Sequence, residues 1–190
     1  MQKDIVGLLL AAGCSSRFGS DKLCYSLPEQ DAIAVRACRN LQQGVDTVVA
    51  VIRPDADELA GLLVSTGAFV VVCPHAADGM GTSLAYGVNQ SSQAYAWLIA
   101  LADMPLIQPK TILTVANTMR SGALLAAPFY SGKRGHPVGF SCNLGEELRT
   151  LTGDSGAKAI LDKYYNQLVH LTCEDAGILY DIDSPSDIMM

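Results

Sequence analysis

The segment after the first apolar run of the chain carries residues suited to binding a triphosphate. Small residues lead into a loop that contains Gly13, Arg17, Gly19 and Lys22. A loop without bulky side chains lets backbone N–H groups approach an anion closely, and Arg17 and Lys22 add positive charge over the same anion. The order of residues is not that of a Walker loop, and a dinucleotide fingerprint is absent. The spacing therefore predicts a nucleotide-binding loop, with a simple tight turn as the alternative.

A carboxylate at the end of the most hydrophobic run is a candidate metal ligand. Asp103 follows the apolar stretch 96–101, and Pro105 prevents a strand from continuing. Mg2+ prefers carboxylate and phosphate oxygens, so Asp103 suits a metal ion that also holds a triphosphate. The alternative is a carboxylate that only caps the turn or the next helix.

The elements that must position these residues alternate along the chain. Nearly continuous apolar runs predict strands at 5–10, 46–52, 68–73, 96–101 and 123–127. Helices are predicted at 32–41, 55–65, 82–90 and 109–120, with Asp55 and Pro109 as starts and Gly67 and Gly122 as stops. This alternation predicts an α/β fold with a doubly wound, mostly parallel sheet, in which ligands bind beyond the carboxyl ends of the strands. The glycine loop and Asp103 should therefore share one rim.

The pattern loosens beyond Pro128. A hairpin arm is expected at 132–140, helices near 144–151 and 155–164, and an edge strand near 167–171. Since no linker or repeat interrupts the chain, we expect one domain over residues 1–190. Its nucleotide-binding half should cover about 1–105 and its acceptor-binding half about 106–190.

Two further segments have residue types that suit ligand binding. Gly79, Gly81 and Ser83 precede a predicted helix, where small residues and a hydroxyl can bind an anion or the edge of a base. An ordinary N-cap formed by Thr82 or Ser83 is the alternative. Arg134 and His136, separated only by Gly135, precede a proline, and such a pair suits a phosphorylated or pterin-like acceptor. The alternative is a histidine with only a structural role.

Carboxylates also occur late in the chain. Asp154 or Ser155 is expected to cap the helix that follows. Asp181 and Asp183 alternate, so they should point to one face of an extended segment, where one of them could complete a magnesium site with Asp103. Which of the two does so is left open. The alternative role, capping a final helix, fits Asp187 better.

Composition excludes several classes of protein. The chain has 190 residues, a formal net charge of −6 and no basic block, which argues against nucleic-acid binding. The six cysteines show no metal-ligand spacing, so free thiols in a reducing compartment are expected. The chain has neither an apolar run long enough to span a membrane nor the pattern of a signal peptide, so a cytoplasmic protein is expected.

In their order along the chain, these motifs resemble the MobA-like nucleotidyltransferases, in particular the molybdenum cofactor cytidylyltransferase branch. The resemblance runs from Val6 to Asp187 and rests on L-A-A-G-x-S-x-R-x-G-x-x-K, G-M-G-T-S-L, L-A-D-M-P, G-x-R-G-H-P-V-x-F, L-x-G-D-x-G-A and D-I-D-S-P. It implies the three-layer, glycosyltransferase-A-like fold of nucleotide-diphospho-sugar transferases. It also implies Mg2+-dependent transfer of CMP from CTP to the terminal phosphate of molybdopterin cofactor, with release of pyrophosphate. Ala12 favours the cytidylyl branch, because the guanylyl relatives carry Leu-Ala-Gly-Gly there.

The resemblance also implies roles for individual residues. Nucleotide binding is implied for Leu10, Ala11, Ala12, Gly13, Gly19, Lys22, Gly79, Gly81 and Ser83. Catalytic roles are implied for Arg17, Lys22 and Asp103, metal binding for Asp103 and Asp183, and acceptor binding for Arg134, His136 and Asp154. A molybdenum hydroxylase is the expected client protein. Two alternatives stay open: a nucleotidyltransferase that uses GTP or another phosphorylated acceptor, and a non-catalytic molybdopterin carrier for a client oxidoreductase.

Overall fold

Strands and helices alternate through the first half of the computed structural model, which describes residues 3–13, 22–26, 31–184 and 187. The strands are β1 (Ile5–Ala11), β2 (Thr47–Ile52), β3 (Phe69–Val72), β4 (Ala96–Leu101), β5 (Leu125–Tyr130), β6 (Lys133–Arg134), β7 (Val138–Ser141) and β8 (Leu168–Thr172). The helices are α1 (Ile33–Gln42), α2 (Asp57–Ser65), α3 (Met80–Gln90), α4 (Pro109–Arg120), α5 (Gly145–Arg149) and α6 (Lys158–Lys163). Arg17 and Gly19, predicted to bind the triphosphate, lie outside the described residues.

All eight of these strands belong to one sheet. Its order is β3-β2-β1-β4-β7-β5-β6, and β8 pairs with β5. The pairs among β1 to β4 are parallel, as is the pair of β5 with β8, whereas β7 runs antiparallel between β4 and β5. The mostly parallel sheet predicted from the sequence is thereby confirmed. Helices cover both of its faces, which confirms the predicted α/β class.

The predicted hairpin arm at 132–140 divides into two strands with different partners. β6 pairs with the end of β5, whereas β7 enters the main sheet beside β4. Burial explains this placement, because Val138 and Phe140 are 2% and 1% exposed and both pack into the core on the side of α3, α5 and α6. Gly139 leaves room for α4, since a Cβ there would lie 2.7 Å from Cγ of Met119.

Each face of the sheet has its own hydrophobic core, and β1 contributes to both. Ile5 and Leu9 pack on the side of α1, α2 and α4, whereas Leu8 and Leu10 pack on the side of α3, α5 and α6. This alternation follows from the two-residue period of a strand. The molecule therefore has three layers. Among the described residues, no helix is long and apolar enough to cross a membrane.

Several predicted helix starts were wrong. α2 begins at Asp57 and not at Asp55, which has a positive φ of 62° and belongs to the preceding turn. α3 begins at Met80 with Gly79 as its N-cap residue, so Thr82 and Ser83 lie inside the first turn and do not cap it. The predicted start of α4 at Pro109 is confirmed.

Glycines and boundary residues explain the remaining differences. Gly67 and Gly122 follow α2 and α4 with φ values of 88° and 99°, so both predicted stops are confirmed. The predicted helix 155–164 begins only at Lys158, because Gly153–Ser155 forms a separate 3-10 turn and Gly156 follows it with a positive φ of 53°. Neither Asp154 nor Ser155 caps α6. β5 continues to Tyr130, beyond the predicted end at 127.

Two helical glycines provide a matched test of the packing. A Cβ at Gly87 in α3 would lie 2.8 Å from Cγ2 of Val51, whereas at Gly61, exposed on α2, nothing lies within 4 Å. Gly87→Ala should therefore lower the free energy of unfolding by about 1–3 kcal/mol through overpacking. Gly61→Ala should raise it by about 0.5–1 kcal/mol through helix propensity. Urea denaturation of both variants measures these changes. Equal changes in the free energy of unfolding, with the same sign in both variants, would contradict the described packing of α3.

Asp46 predicts a pH-dependent contribution to stability. Burial by itself raises the pKa of Asp46, but its Oδ2 accepts hydrogen bonds of 2.8 Å from the Ile5 backbone N–H and from Arg120, and these lower the pKa overall. A carboxylate with a lowered folded-state pKa stabilises above its unfolded pKa of about 3.9, and this contribution disappears as the pH falls through the folded-state value.

Asp46→Asn should therefore lower the melting temperature at neutral pH, by no more than about 4 °C because the side chain is 43% exposed. The difference in melting temperature between this variant and the unsubstituted protein should disappear below about pH 4. Thermal melts from pH 2.5 to 7 measure it, with Asp162→Asn on the exposed side of α6 as the charge-matched control. A difference in melting temperature that grows toward low pH would show that folding does not lower the pKa of Asp46.

Candidate active site

Parallel pairing of β1 and β4 places the glycine loop and Asp103 at one rim. Leu10 lies opposite Leu101 in the register, and the Ala102 N–H donates to the Leu10 carbonyl at 3.1 Å. Gly13 and Asp103 follow directly after these paired positions. The register of the two strands therefore produces the shared rim that the sequence predicts.

The C-terminal segment brings two more carboxylates to this rim. The Ile182 N–H donates to the backbone carbonyl of Asp103 at 2.9 Å. One carboxylate oxygen from each of Asp103, Asp181 and Asp183 then lies within 4.8 Å of the others. Asp187 supports this segment, because its Oδ2 accepts from the N–H of Asp183 at 3.0 Å. Asp181 and Asp183 thus both reach Asp103.

Lys22 supplies a cation to the carboxylate cluster. Its Nζ lies 3.0 Å from Oδ2 of Asp103 and 3.0 Å from Oδ1 of Asp183. Burial by itself lowers the pKa of Lys22, but the hydrogen bonds and charges of the two aspartates outweigh it and raise the pKa above its ordinary value. The Lys22 side chain is therefore a stable ammonium at neutral pH.

The cluster has the features of a site for a hard divalent cation. Among the described residues, three carboxylates lie against the one ammonium of Lys22, which leaves an excess of negative charge. Burial raises the pKa of Asp181, and the charges of Asp183 and Asp103 raise it further, against the lowering effects of a backbone hydrogen bond and of Lys22. Within the described residues, Oδ1 of Asp103 is a buried oxygen that no hydrogen-bond donor reaches. A metal ion would satisfy this oxygen, and oxygen-only ligands suit Mg2+ or Mn2+.

A cleft of about 440 Å³ opens beside the cluster. Its lining includes Lys22 and Asp103 together with Leu10, Ala12, Gly13, Gly79, Ser83 and Asp154. Ala11 is 1% exposed and packs into the core below α1, so its side chain points away from the cleft. Most of the residues predicted to bind nucleotide are thereby brought together around one cavity.

Gly79 and Gly81 have a packing reason to be glycines. A Cβ at Gly79, whose φ is 115°, would lie 2.4 Å from the carbonyl carbon of Gly153 and 2.5 Å from Oδ1 of Asp154. A Cβ at Gly81 would lie 2.8 Å from the carbonyl oxygens of Thr152 and Gly153. The start of α3 therefore requires glycine to admit the 152–154 turn. This contact brings Asp154 to the wall of the large cleft.

A smaller cavity of about 150 Å³ adjoins the cleft and shares Leu10, Met80 and Leu101 with it. Its lining is otherwise apolar side chains and small residues, together with Arg134, His136 and Lys158. Arg134 and His136, which the sequence predicts to bind the acceptor, both line this cavity. Asp154, which the sequence also predicts to bind the acceptor, lines the large cleft together with Gly79.

Arg134 and His136 differ in charge. Burial lowers the pKa of His136 and outweighs the hydrogen bond to the Ile99 carbonyl, which raises it; the charge of the nearby Arg134 guanidinium lowers the pKa further, and that of Asp103 raises it slightly. His136 is therefore neutral at pH 7 and serves as a hydrogen-bonding group. The positive charge at the small cavity comes from Arg134 and Lys158.

Sequence reasoning missed two cations near the site. Lys158 was assigned no site role, although it follows the Gly156-Ala157 pair of a motif used for the resemblance. Arg53 follows β2 and donates from Nη1 to the Gly13 carbonyl at 3.3 Å. The sequence could have indicated a place near the site for Arg53, because residues directly after a parallel strand lie on the rim where ligands bind.

Two proteins of known name are similar to this chain over almost its whole length. The chain is 29% identical to the purine catabolism protein PucB of Bacillus subtilis, over 98% of this chain and 95% of that protein. It is 26% identical to the nicotine blue oxidoreductase of Paenarthrobacter nicotinovorans, over 95% of this chain and 92% of that protein.

Solved structures share the fold. Rv0371c of Mycobacterium tuberculosis has a TM-score of 0.84 at 22% identity, over 100% of this chain and 97% of that one. Its manganese complex has a TM-score of 0.76 at 22% identity, over 98% and 96% of the two chains. A nucleotidyl transferase from Methanothermobacter, Mth528, has a TM-score of 0.83 at 20% identity, over 99% and 95% of the two chains.

These similarities cover almost the whole chain, and the fold is that of the nucleotide-diphospho-sugar transferases. The family model of the MobA-like NTP transferase domain matches residues 7–169. The chain therefore belongs to the MobA-like NTP transferase family.

Proposed function

We propose that the protein transfers CMP from CTP to the terminal phosphate of molybdopterin cofactor and releases pyrophosphate. The observation that carries the proposal is the Lys22 ammonium among three carboxylates at the wall of a cleft lined by small residues. Transfer of a nucleotidyl group requires positioning and charge neutralisation, and no covalent nucleophile. Lys22 and the carboxylates supply groups for both.

The large cleft is the proposed nucleotide site. Ala12 and Gly13 give the triphosphate access to the backbone, and Lys22 reaches the same cavity with a positive charge. Arg17 and Gly19 belong to the same proposal on sequence grounds. Gly79 and Ser83, at the start of α3, also line the cleft and are proposed to contact the nucleoside.

Asp103, Asp181 and Asp183 are the residues that would hold a divalent metal ion. Such an ion, when bound, polarises phosphoryl oxygens and offsets charge on the leaving pyrophosphate. Lys22 binds the same oxyanions and keeps its proton throughout, because its pKa is raised. The structure of Rv0371c with manganese supports a divalent ion in this fold.

The small cavity is the proposed acceptor site. Its apolar wall suits a flat heterocycle, Arg134 and Lys158 suit a phosphate, and neutral His136 can donate or accept a hydrogen bond. Because it adjoins the large cleft, an acceptor phosphate there would approach the α-phosphorus of a nucleotide bound beside it. The product would pass to a client such as a molybdenum hydroxylase.

Asp154 is proposed to contact the nucleotide, although sequence reasoning assigned it to the acceptor. Its carboxylate lines the large cleft and can accept hydrogen bonds from ribose hydroxyls or from a base amino group. The preference for CTP rests on Ala12. The carboxylate cluster favours nucleotidyl transfer over the oxidoreductase activity in the name of one relative, because hydride transfer does not depend on such a cluster.

Pyrophosphate release tests the reaction. The purified protein is given each of the four nucleoside triphosphates with Mg2+, with and without purified molybdenum cofactor. Release that requires both CTP and the cofactor is the expected result. Faster release with GTP would overturn the cytidylyl assignment. Cofactor binding without release from any nucleotide would identify a carrier and overturn the enzymatic proposal.

Asp103→Asn tests the metal site. The variant keeps the shape of the side chain but removes one anionic ligand, so kcat should fall by about 100-fold or more and the Mg2+ concentration needed for half-maximal rate should rise. Asp162→Asn on α6 removes one carboxylate away from the cleft and should leave both values unchanged. Full activity of Asp103→Asn would rule out the proposed metal site.

Arg134→Gln tests the acceptor site. Loss of a charge-assisted hydrogen bond to the acceptor phosphate should raise KM for molybdopterin about tenfold or more, while KM for CTP stays the same. Lys133→Gln is the matched control, since Lys133 is the neighbouring exposed cation on β6 and does not line the cavity. If the two variants behave alike, Arg134 has no specific role toward the acceptor.

A further inference from the structure

The Lys22 ammonium lies between two of the carboxylates assigned to the metal. Its Nζ is 3.0 Å from Oδ2 of Asp103 and 3.0 Å from Oδ1 of Asp183. The side chains of Lys22 and Asp103 are only 14% and 23% exposed, so water screens their attraction incompletely. Lys22 is therefore a tethered cation, held by two of the three carboxylates that a metal ion would use.

Lys22 and a metal ion would compete for the negative charge of these two carboxylates, even where the metal ion takes Oδ1 of Asp103, which no donor reaches among the described residues. Mg2+ binds carboxylate oxygens at about 2.1 Å, so an ion bridging both would lie close to the position of the ammonium. Two cations at such a separation repel strongly in a partly buried site. A metal ion would therefore bind Asp103 and Asp183 more tightly once Nζ has moved away.

Lys22 has a second possible partner in the same cavity. Its side chain lines the large cleft together with Ala12 and Gly13, where the triphosphate is proposed to bind. Phosphate oxygens offer the ammonium charge-assisted hydrogen bonds equivalent to those of the carboxylates. Movement of Lys22 from carboxylate to phosphate would therefore release two carboxylates as metal ligands.

We propose that Lys22 competes with the metal ion for Asp103 and Asp183 and yields these ligands when a triphosphate binds. The site then binds the metal ion tightly together with the nucleotide and only weakly when no nucleotide is present. Coupling between two ligands is reciprocal, so the metal also strengthens nucleotide binding by the same factor. The triphosphate half of this inference rests on the proposed function, whereas the competition concerns only the carboxylates and Lys22.

Binding of Mn2+ alone tests the competition, with free Mn2+ measured by electron paramagnetic resonance in the absence of nucleotide. Lys22→Met removes the competing ammonium and should bind Mn2+ at least about tenfold more tightly than the unsubstituted protein. Lys22→Arg retains a cation and should stay within about threefold. Lys110→Met, at an exposed position on α4, controls for the change in net charge and should also stay within about threefold.

Lys22→Met also loses two ion pairs, so its fold is checked by the Mn2+ dependence of the melting temperature. Mn2+ should raise this temperature more in Lys22→Met than in the unsubstituted protein, since tighter binding to the folded state stabilises more. Lys22→Gln, which keeps a hydrogen-bond donor, should shift Mn2+ affinity in the same direction. Mn2+ affinity that is unchanged or weaker in both variants overturns the proposal.

The proposed function fails by a different observation. If no nucleoside triphosphate binds the unsubstituted protein in the presence of Mn2+, nucleotidyl transfer is ruled out. The comparison of Mn2+ affinities without nucleotide still decides whether Lys22 competes for the carboxylates.

Discussion

The parallel pairing of β1 with β4 is the constraint on which the rest of the candidate site depends. Both strands lie in the interior of the sheet, and Ile5, Leu8 and Leu9 are 0% exposed. Because a parallel pair in this register ends at one edge, the glycine loop and Asp103 emerge together. A change in register by one residue would also turn the two faces of β1 toward the wrong cores.

The carboxylate cluster is built on the backbone of this strand pair. A single hydrogen bond joins the Ile182 N–H to the Asp103 carbonyl, and Ile182 itself is 2% exposed in the core. Alternation of side chains along an extended segment then places Asp181 and Asp183 on one side, toward Asp103. Lys22 offsets part of the resulting negative charge. Packing of Ile182 in the core thereby helps to position the carboxylate cluster.

The glycines near the cleft act in two ways. A Cβ at Gly13 would meet no atom within 4 Å, so this glycine leaves the rim open, whereas Gly79 and Gly81 admit the backbone of the 152–154 turn. Sequence motifs do not distinguish these cases, because both appear as glycine next to a helix or loop. The distinction matters, since the contact at Gly79 brings Asp154, which the sequence predicts to bind the acceptor, to the wall of the large cleft.

The sequence by itself determined the α/β class, most strands, the ends of α2 and α4, and the membership of Lys22 and Asp103 in one site. These features follow from local information, namely apolar runs, positive-φ glycines and the rule that ligands bind at the carboxyl ends of parallel strands. Tertiary structure decided the insertion of β7, the place of Asp154 at the large cleft, the place of Lys158 at the small cavity, and the hydrogen bond from Arg53 to the Gly13 carbonyl. It also brought both Asp181 and Asp183 to Asp103. These depend on contacts between residues far apart in the chain, whose partners no local pattern specifies.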